Sequence, residues 1–193
     1  MLVTGIKSMP VYRALQFDRS GHTHLAVACG AGAEALLRLA AQASRAGSAA
    51  SACELLYAPA ASADLAEGVR AAWPGATIAA SGNALLAALA QALARQPMGL
   101  RFYAAGDEDF LAQASRSAEQ HGLDPDEMQC EHVAPAAARR VYCIHCHTCN
   151  AAVSGSLAPC AGCGRTLLVR DHYSRRLAAF MGVMADAETP GAA

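Results

Sequence analysis

Between residues 22 and 133, apolar and polar positions alternate in a repeating rhythm. Residues 24–29 (HLAVAC) form a short apolar run that ends at Gly30-Ala31-Gly32, and residues 34–46 follow with Leu36, Leu37 and Leu39 at helical spacing. This pattern predicts a strand, a glycine turn and a helix. Residues 54–57 (ELLY) read as a second strand, closed by Pro59 and followed by a helix over 62–73 that Pro74-Gly75 terminates. Residues 76–79 give a third, weak strand, and 83–95 a helix patterned in Leu and Ala. Residues 100–105 (LRFYAA) give a fourth strand running into Gly106-Asp107, with a helix over 108–121, a turn at 122–126 (GLDPD) and a last strand at 128–133. Strands alternating with helices of about 10–15 residues predict an α/β fold with a doubly wound parallel sheet. The lead-in at 6–20 is mixed and interrupted by Pro10, an extended or looped segment without assignable chemistry. Residues 134–138, with Pro135, read as a linker, which sets two domains at 1–136 and 137–193.

Composition narrows this picture. The chain has 193 residues, 54% hydrophobic and 16% charged, too apolar for disorder and too evenly mixed for a coiled coil. Alanine supplies 48 residues against 4 Phe, 5 Tyr and 1 Trp, so much of the apolar content buries little area per side chain. No run of about 18 apolar residues occurs, and residues 1–10 lack a charged region followed by an apolar one, so a membrane span or secretory signal is not expected and a cytoplasmic location is. The net charge of −1 conceals an asymmetry: residues 1–136 carry 9 basic and 13 acidic groups, residues 137–193 carry 6 and 3, giving about −4 and +3.

Cysteine follows the same division. Cys29, Cys53 and Cys130 stand singly in apolar surroundings and read as small buried side chains. Cys143, Cys146, Cys149, Cys160 and Cys163 fall within 21 residues. Cys143-Ile-His-Cys146 and Cys160-Ala-Gly-Cys163 are separated by 13 residues, and each can present two thiolates to one ion at about 2.3 Å. Gly162 and Gly164 supply the backbone freedom such turns need. Four thiolates make a closed tetrahedral site, so a zinc ribbon with a structural zinc is expected, in preference to an iron–sulfur centre or a dithiol redox pair. Cys146-His-Thr-Cys149 is a competing unit; Cys143 with Cys146 is preferred because residues 140–142 run as a strand straight into Cys143, as 166–169 run out of the second unit. His145 and His147 are each possible substitutes for a thiolate. The metal is expected to fold a segment too small to bury its own core, with Arg165 and Arg170 offsetting the charge of the centre.

Arg139, Arg140, Arg165, Arg170, Arg175 and Arg176 make this module basic, either as solvated charge or as a docking surface for an acidic partner. Nucleic acid is disfavoured by the near-neutral total and by the lack of a basic stripe interleaved with aromatics. A C-terminal helix is expected, with Phe180, Met181, Val183 and Met184 as an apolar patch at its end that seeks another surface. His22, His24, His121, His132 and His172 are not spaced as a metal site; His172, beside Asp171, is the one whose tautomer a neighbour would set. No catalytic residue is assigned.

The stretch CIHC…CxGCGRxLLVRDHYSRRLAAFMGV resembles the small-subunit family of bacterial dimethylamine monooxygenases over residues 140–188, with 168–176 (LVRDHYSRR) the distinctive part. That resemblance implies a non-catalytic accessory subunit of a haem-dependent N-demethylase that oxidises dimethylamine with O2 and NADPH to methylamine and formaldehyde. It implies haem, flavin, iron–sulfur and folate sites on partner subunits: a haem subunit, a flavin and ferredoxin-type reductase, and a folate-binding part. The N-terminal domain is similar to the nucleotide-binding half of ferredoxin reductases over 22–133, in Ala28-Cys-Gly-Ala-Gly32, Leu55-Leu-Tyr-Ala58, residues 100–107, the helix with residues 122–125 (GLDP), and Cys130-Glu131-His132. The departures are pointed. Residues 59–63 (PAASA) lack the Arg that such reductases use to grip a phosphate, Ala105-Gly106-Asp107 stands where they carry Cys-Gly-Pro, and Asp107, Glu108 and Asp109 place negative charge where a dinucleotide approaches. Gly30, Gly32 and Gly106 are the residues that would line a remaining NADPH pocket, and equally serve as tight turns. The domain is expected either to hold NADPH weakly or to serve assembly alone. The alternative to an accessory subunit is a stand-alone zinc-ribbon adaptor or regulator that binds nucleic acid or protein through its basic C-terminal face.

Overall fold

A computed structural model of the chain describes residues 12–47, 53–60, 64–133, 139–174 and 176–186. They divide between two units, one within residues 12–134 and one within 135–193. In the first, β1 (Thr23–Cys29), β2 (Cys53–Ala58), β3 (Thr77–Ile78), β4 (Leu100–Gly106) and β5 (Met128–His132) alternate with α1 (Ala33–Arg45), α2 (Ala66–Ala72), α3 (Gly82–Leu93) and α4 (Glu108–Gln120). The sheet order is β3-β2-β1-β4-β5, and every neighbouring pair is parallel. This is the doubly wound α/β fold that the sequence rhythm predicts.

Helices cover both faces of the sheet, which is why its central strands are apolar almost throughout. Successive side chains of β1 point to opposite faces. Leu25 and Val27 join Phe102 and Ala104 under Leu85 and Leu89 of α3 and Phe110 and Leu111 of α4. Ala26 and Ala28 join Leu55, Tyr57 and Tyr103 under Leu36 and Leu39 of α1 and Val69 of α2. The alanine excess belongs here: Ala33, Ala35, Ala40, Ala43, Ala92, Ala114 and Ala118 are buried on the helices, where small side chains admit close packing on the sheet.

Local chemistry sets the element ends. Ser81 caps α3, its Oγ accepting from the Ala84 N–H at 3.2 Å, and Asp107 caps α4, its Oδ1 accepting from the Phe110 N–H at 2.8 Å. Beyond α4, Gly122 adopts φ 89° and the Leu123 N–H reaches back to the Ala118 carbonyl at 3.2 Å, a Schellman closure. The lead-in covers the edge strand β5, with the Leu15 N–H donating to Glu131 Oε2 at 2.8 Å and the Arg13 N–H to the Cys130 carbonyl at 3.1 Å. Residues 62–63 of the expected second helix, residues 6–11 of the lead-in and the expected linker at 134–138 lie outside the described residues.

The second unit is a sheet of β6 (Arg139–Cys143), β7 (Cys149–Val153), β8 (Leu157–Pro159), β9 (Thr166–Ser174) and β10 (Ala179–Met184), ordered β7-β6-β10-β9-β8. Here one expectation is corrected. The predicted C-terminal helix is β10, parallel to β6 and antiparallel to β9. Phe180, Met181, Val183 and Met184 are therefore not a patch at a helix end: Phe180 is buried, Met181 partly exposed, Gly182 buried and Val183 partly exposed, the period of a strand. Ala178, at φ 51°, breaks any helix just before this segment. A Cβ on Gly182 would lie 2.7 Å from Val141 Cγ1 and 2.9 Å from Leu167 Cδ1, so pairing on both sides requires glycine. The unit also has an interior that its size did not lead us to expect: Val141, Leu167, Val169, Tyr173 and Phe180 are buried together, the last two edge-to-face at 5.1 Å. Among the described residues, no helix is long and apolar enough to cross a membrane.

One buried polar group in the first unit links its stability to pH. His24 is 4% exposed, with Nδ1 3.2 Å from the Tyr103 hydroxyl, which in turn accepts from the Asp18 N–H at 3.0 Å. Burial holds the imidazole below its ordinary value, reinforced by Arg101 and opposed by Asp18. The neutral ring is thus favoured in the folded state, its contribution being complete above about pH 6.5 and lost as pH falls below that value. The expected outcome in chemical denaturation is that the stability difference between wild type and His24→Gln narrows from pH 7.5 to 5.5, by at most about 1.4 kcal/mol per pH unit; a constant difference refutes it.

Candidate metal centre

Two turns of the second unit share one hydrogen-bonding plan. In the first, the Cys143 N–H donates to the Thr148 carbonyl at 2.9 Å and the His147 N–H to the Cys143 carbonyl at 2.9 Å. In the second, the Cys160 N–H donates to the Arg165 carbonyl at 2.8 Å and the Gly164 N–H to the Cys160 carbonyl at 2.9 Å. The fifth residue of each turn is left-handed: His147 at φ 64° and Gly164 at φ 72°. Each plan turns both cysteines of its pair to one side. β6 delivers Cys143, the Ile144 N–H is fastened to the Gly182 carbonyl of β10 at 3.1 Å, and β9 leaves the second turn.

The sulfurs of Cys143, Cys146, Cys160 and Cys163 lie within 4.8 Å of one another, a group able to hold a metal ion. Cys143 and Cys163 are 3.9 Å apart and Cys146 and Cys160 3.5 Å, bracketing the spacing of about 3.8 Å that tetrahedral bonds of about 2.3 Å require. The four expected cysteines are thus brought together. Cys149 lies outside the group, exposed at the start of β7. His145 Nδ1 is 3.1 Å from Arg165 Nη1, and His147 Nδ1 is 2.6 Å from the Tyr142 hydroxyl. His172 is exposed on β9.

The two turns meet through residues that carry no ligand atom. A Cβ on Gly162 would lie 2.1 Å from Thr148 Oγ1 and 3.1 Å from Cys146 Sγ, so the close approach depends on glycine. Asn150, 6% exposed, ties the turns: its Oδ1 accepts from the Ala161 N–H at 2.7 Å, and its Nδ2 donates to the Val141 carbonyl at 3.2 Å and toward Cys160 Sγ at 3.8 Å. Sequence reasoning missed Asn150; a polar residue adjoining a cysteine cluster was its only signal. The Cys163 and Gly162 N–H groups hold the Cys160 thiol down at about 6, while burial pushes Cys143 up to about 11. The scattered cysteines are partly buried, and burial raises each thiol, Cys53 to about 11.

Gly30, Gly32 and Gly106 stand together at the carboxyl ends of β1 and β4, the point where strand order reverses. Each has a packing reason. Gly30 is at φ 56°, a Cβ on Gly32 would lie 2.2 Å from the Ala105 carbonyl oxygen, and one on Gly106 would lie 2.6 Å from the Phe110 ring.

Two family models match the chain: the N-terminal domain of the dimethylamine monooxygenase subunit DmmA-like family over residues 4–128, and its C-terminal domain over residues 140–183. The chain belongs to this family. A heme-dependent oxidative N-demethylase delta subunit of Ectopseudomonas mendocina (strain ymp) is 42% identical to this DmmA-like chain over 93 residues, 48% of the chain and 53% of the relative. The match therefore spans about half of that relative's length. An intact type IV self-sufficient cytochrome P450 monooxygenase aligns with a TM-score of 0.50 at 18% identity, over 72% of this chain and 19% of that one. Phthalate dioxygenase reductase aligns with a TM-score of 0.50 at 12% identity, over 72% and 46%. At these identities the DmmA-like chain shares the reductase fold, and nothing is transferred beyond it.

The contact between the turns generates a prediction. Gly162→Ala is expected to destabilise the second unit by about 1–3 kcal/mol and to lower the metal bound per chain, while amide exchange in residues 12–133 is unchanged. Wild-type metal content and melting temperature in this variant would show that the turns do not need the close approach.

Proposed function

We propose that the chain is the small, zinc-holding accessory subunit of a dimethylamine monooxygenase complex, which oxidises dimethylamine with O2 and NADPH to methylamine and formaldehyde. The observation that carries the reading is family membership over both units, supported by 42% identity over 93 residues to a heme-dependent oxidative N-demethylase delta subunit. The partners are a haem subunit, a flavin and ferredoxin-type reductase subunit and a folate-binding subunit, which carry the haem, flavin, iron–sulfur and folate groups. The setting is the cytoplasm.

Cys143, Cys146, Cys160 and Cys163 hold the zinc. Sulfur spacings of 3.5 and 3.9 Å fit a dication, and zinc there supplies cross-linking of the two turns. A four-thiolate site leaves no position for water or substrate, and zinc has no redox chemistry, so the chain itself neither activates oxygen nor carries electrons. Its part is to place the reductase and haem subunits for electron transfer. The exposed Arg170 and Arg176 give the second unit a basic surface suited to an acidic partner.

Co-expression of the chain with its partner subunits, followed by affinity purification, tests this. The assembled complex is expected to release formaldehyde from dimethylamine and the chain alone to release none; turnover by the isolated chain, or failure of the partners to co-purify, refutes the reading. Elemental analysis is expected to find about one zinc per chain in the wild type and none in Cys160→Ser, whose second unit loses its cooperative melt. Iron in place of zinc, or zinc retained by Cys160→Ser, refutes the assignment of the metal or of its ligands.

A further inference from the structure

The nucleotide-binding halves of reductases hold a dinucleotide across the carboxyl ends of their strands, at the switch point where Gly30, Gly32 and Gly106 stand here. Such a site needs donors and positive charge for the pyrophosphate, and backbone left free to approach it. Here the charge is reversed and the α4 N-terminus is already occupied. Around the carboxyl ends, in residues 29–37, 58–60, 64–69, 79–94 and 106–115, there is no Lys or Arg, but there are six carboxylates: Glu34, Asp64, Glu67, Asp107, Glu108 and Asp109. Arg45 in the last turn of α1, Arg95 just past α3 and Arg101 near the start of β4 stand at the opposite end of the sheet, and Arg38, which reaches the carboxyl end of β5, is already ion-paired with Glu131.

The chain also fills the positions a phosphate would take. The N-terminus of α4 adjoins Gly106, and there the Asp107 carboxylate already accepts from the Phe110 N–H at 2.8 Å. Glu108 is 7% exposed, and the Tyr12 hydroxyl donates to its Oε1 at 3.3 Å. Tyr12 stacks on His132 with centroids 5.4 Å apart, so the lead-in passes over the ends of β4 and β5. On the β1 side, the fully buried Tyr57 donates its hydroxyl hydrogen to the Gly30 carbonyl at 3.1 Å and accepts from the Leu65 N–H at 3.2 Å, tying the glycine turn to the start of α2. The glycine turn is committed to packing.

We infer that the carboxyl-end crevice is closed to pyridine dinucleotides by the chain's own groups, Asp107 standing where the phosphate would bind and Tyr57 locking the glycine turn. The first unit keeps the reductase fold without its cofactor. This deepens the accessory-subunit reading, in which the unit serves assembly, and its test is independent of whether partners co-purify.

NADPH and NADH are titrated calorimetrically into the full chain, and inorganic pyrophosphate is added in thermal melts of wild type and Asp107→Ser, which retains a capping hydroxyl. The expected result is no dinucleotide binding tighter than about 1 mM in wild type, and a pyrophosphate-dependent rise in Tm of about 2 °C or more in Asp107→Ser that wild type lacks. Dinucleotide binding by wild type below about 1 mM, or an identical pyrophosphate response in the two proteins, overturns the inference. Asp107→Asn, which preserves an acceptor for the Phe110 N–H, replaces the serine variant if that protein does not fold.

Discussion

Convergence of four cysteine sulfurs within 4.8 Å is the constraint on which the second unit is built. Thiols so close cannot all ionise without a cation among them, and burial alone would push Cys143 the opposite way from the amide-stabilised Cys160. The backbone must therefore hold the sulfurs in place. It does so with two turns of the same plan, fastened to each other through Asn150 and brought close by the bare Cα of Gly162. β10 completes the frame: it inserts between β6 and β9, its Gly182 carbonyl takes the Ile144 N–H, and its Phe180 closes the small core against Tyr173. A cysteine cluster given by two short motifs thus requires strands far from it in sequence.

That division between local and distant interactions explains what the sequence revealed. The parallel sheet was legible because each strand and helix carries its own period and its own punctuation, such as the glycines after β1 and the Asp107 cap before α4. The two Cys-x-x-Cys turns were legible for the same reason. Residues 179–184 were not: a short apolar run fits helix or strand, and the decision lies in contacts of Gly182 with Val141 and Leu167. Asn150 has no local pattern at all; it matters because β7 brings it against Ala161 and Cys160. Asp107 was visible as charge, but only its hydrogen bond to the Phe110 N–H shows that the charge occupies the helix end.

The first unit separates fold from chemistry. A doubly wound sheet is held by helices packed on both faces, through Leu25, Val27 and Phe102 on one side and Leu55, Tyr57 and Tyr103 on the other. None of those contacts depends on what the loops at the strand ends bind. The loops can consequently exchange cations for carboxylates while the core persists, and likeness to phthalate dioxygenase reductase at 12% identity reports the core alone.

Both units thus direct their polar chemistry inward. The four cysteine sulfurs face one another, the Gly30 carbonyl of the glycine turn is taken by the Tyr57 hydroxyl, and the Phe110 N–H at the α4 N-terminus is taken by Asp107. On the accessory-subunit reading, with both sites closed, the chain acts through its surfaces, and its two parts differ in charge, about −4 over residues 1–136 and +3 over 137–193. On the accessory-subunit reading this asymmetry has a direct use. Fields of opposite sign attract complementary partner faces over about 8 Å at physiological salt, and like charges repel the wrong ones. One nearly neutral chain can therefore meet a basic surface with one unit and an acidic surface with the other, which a uniformly charged subunit cannot do.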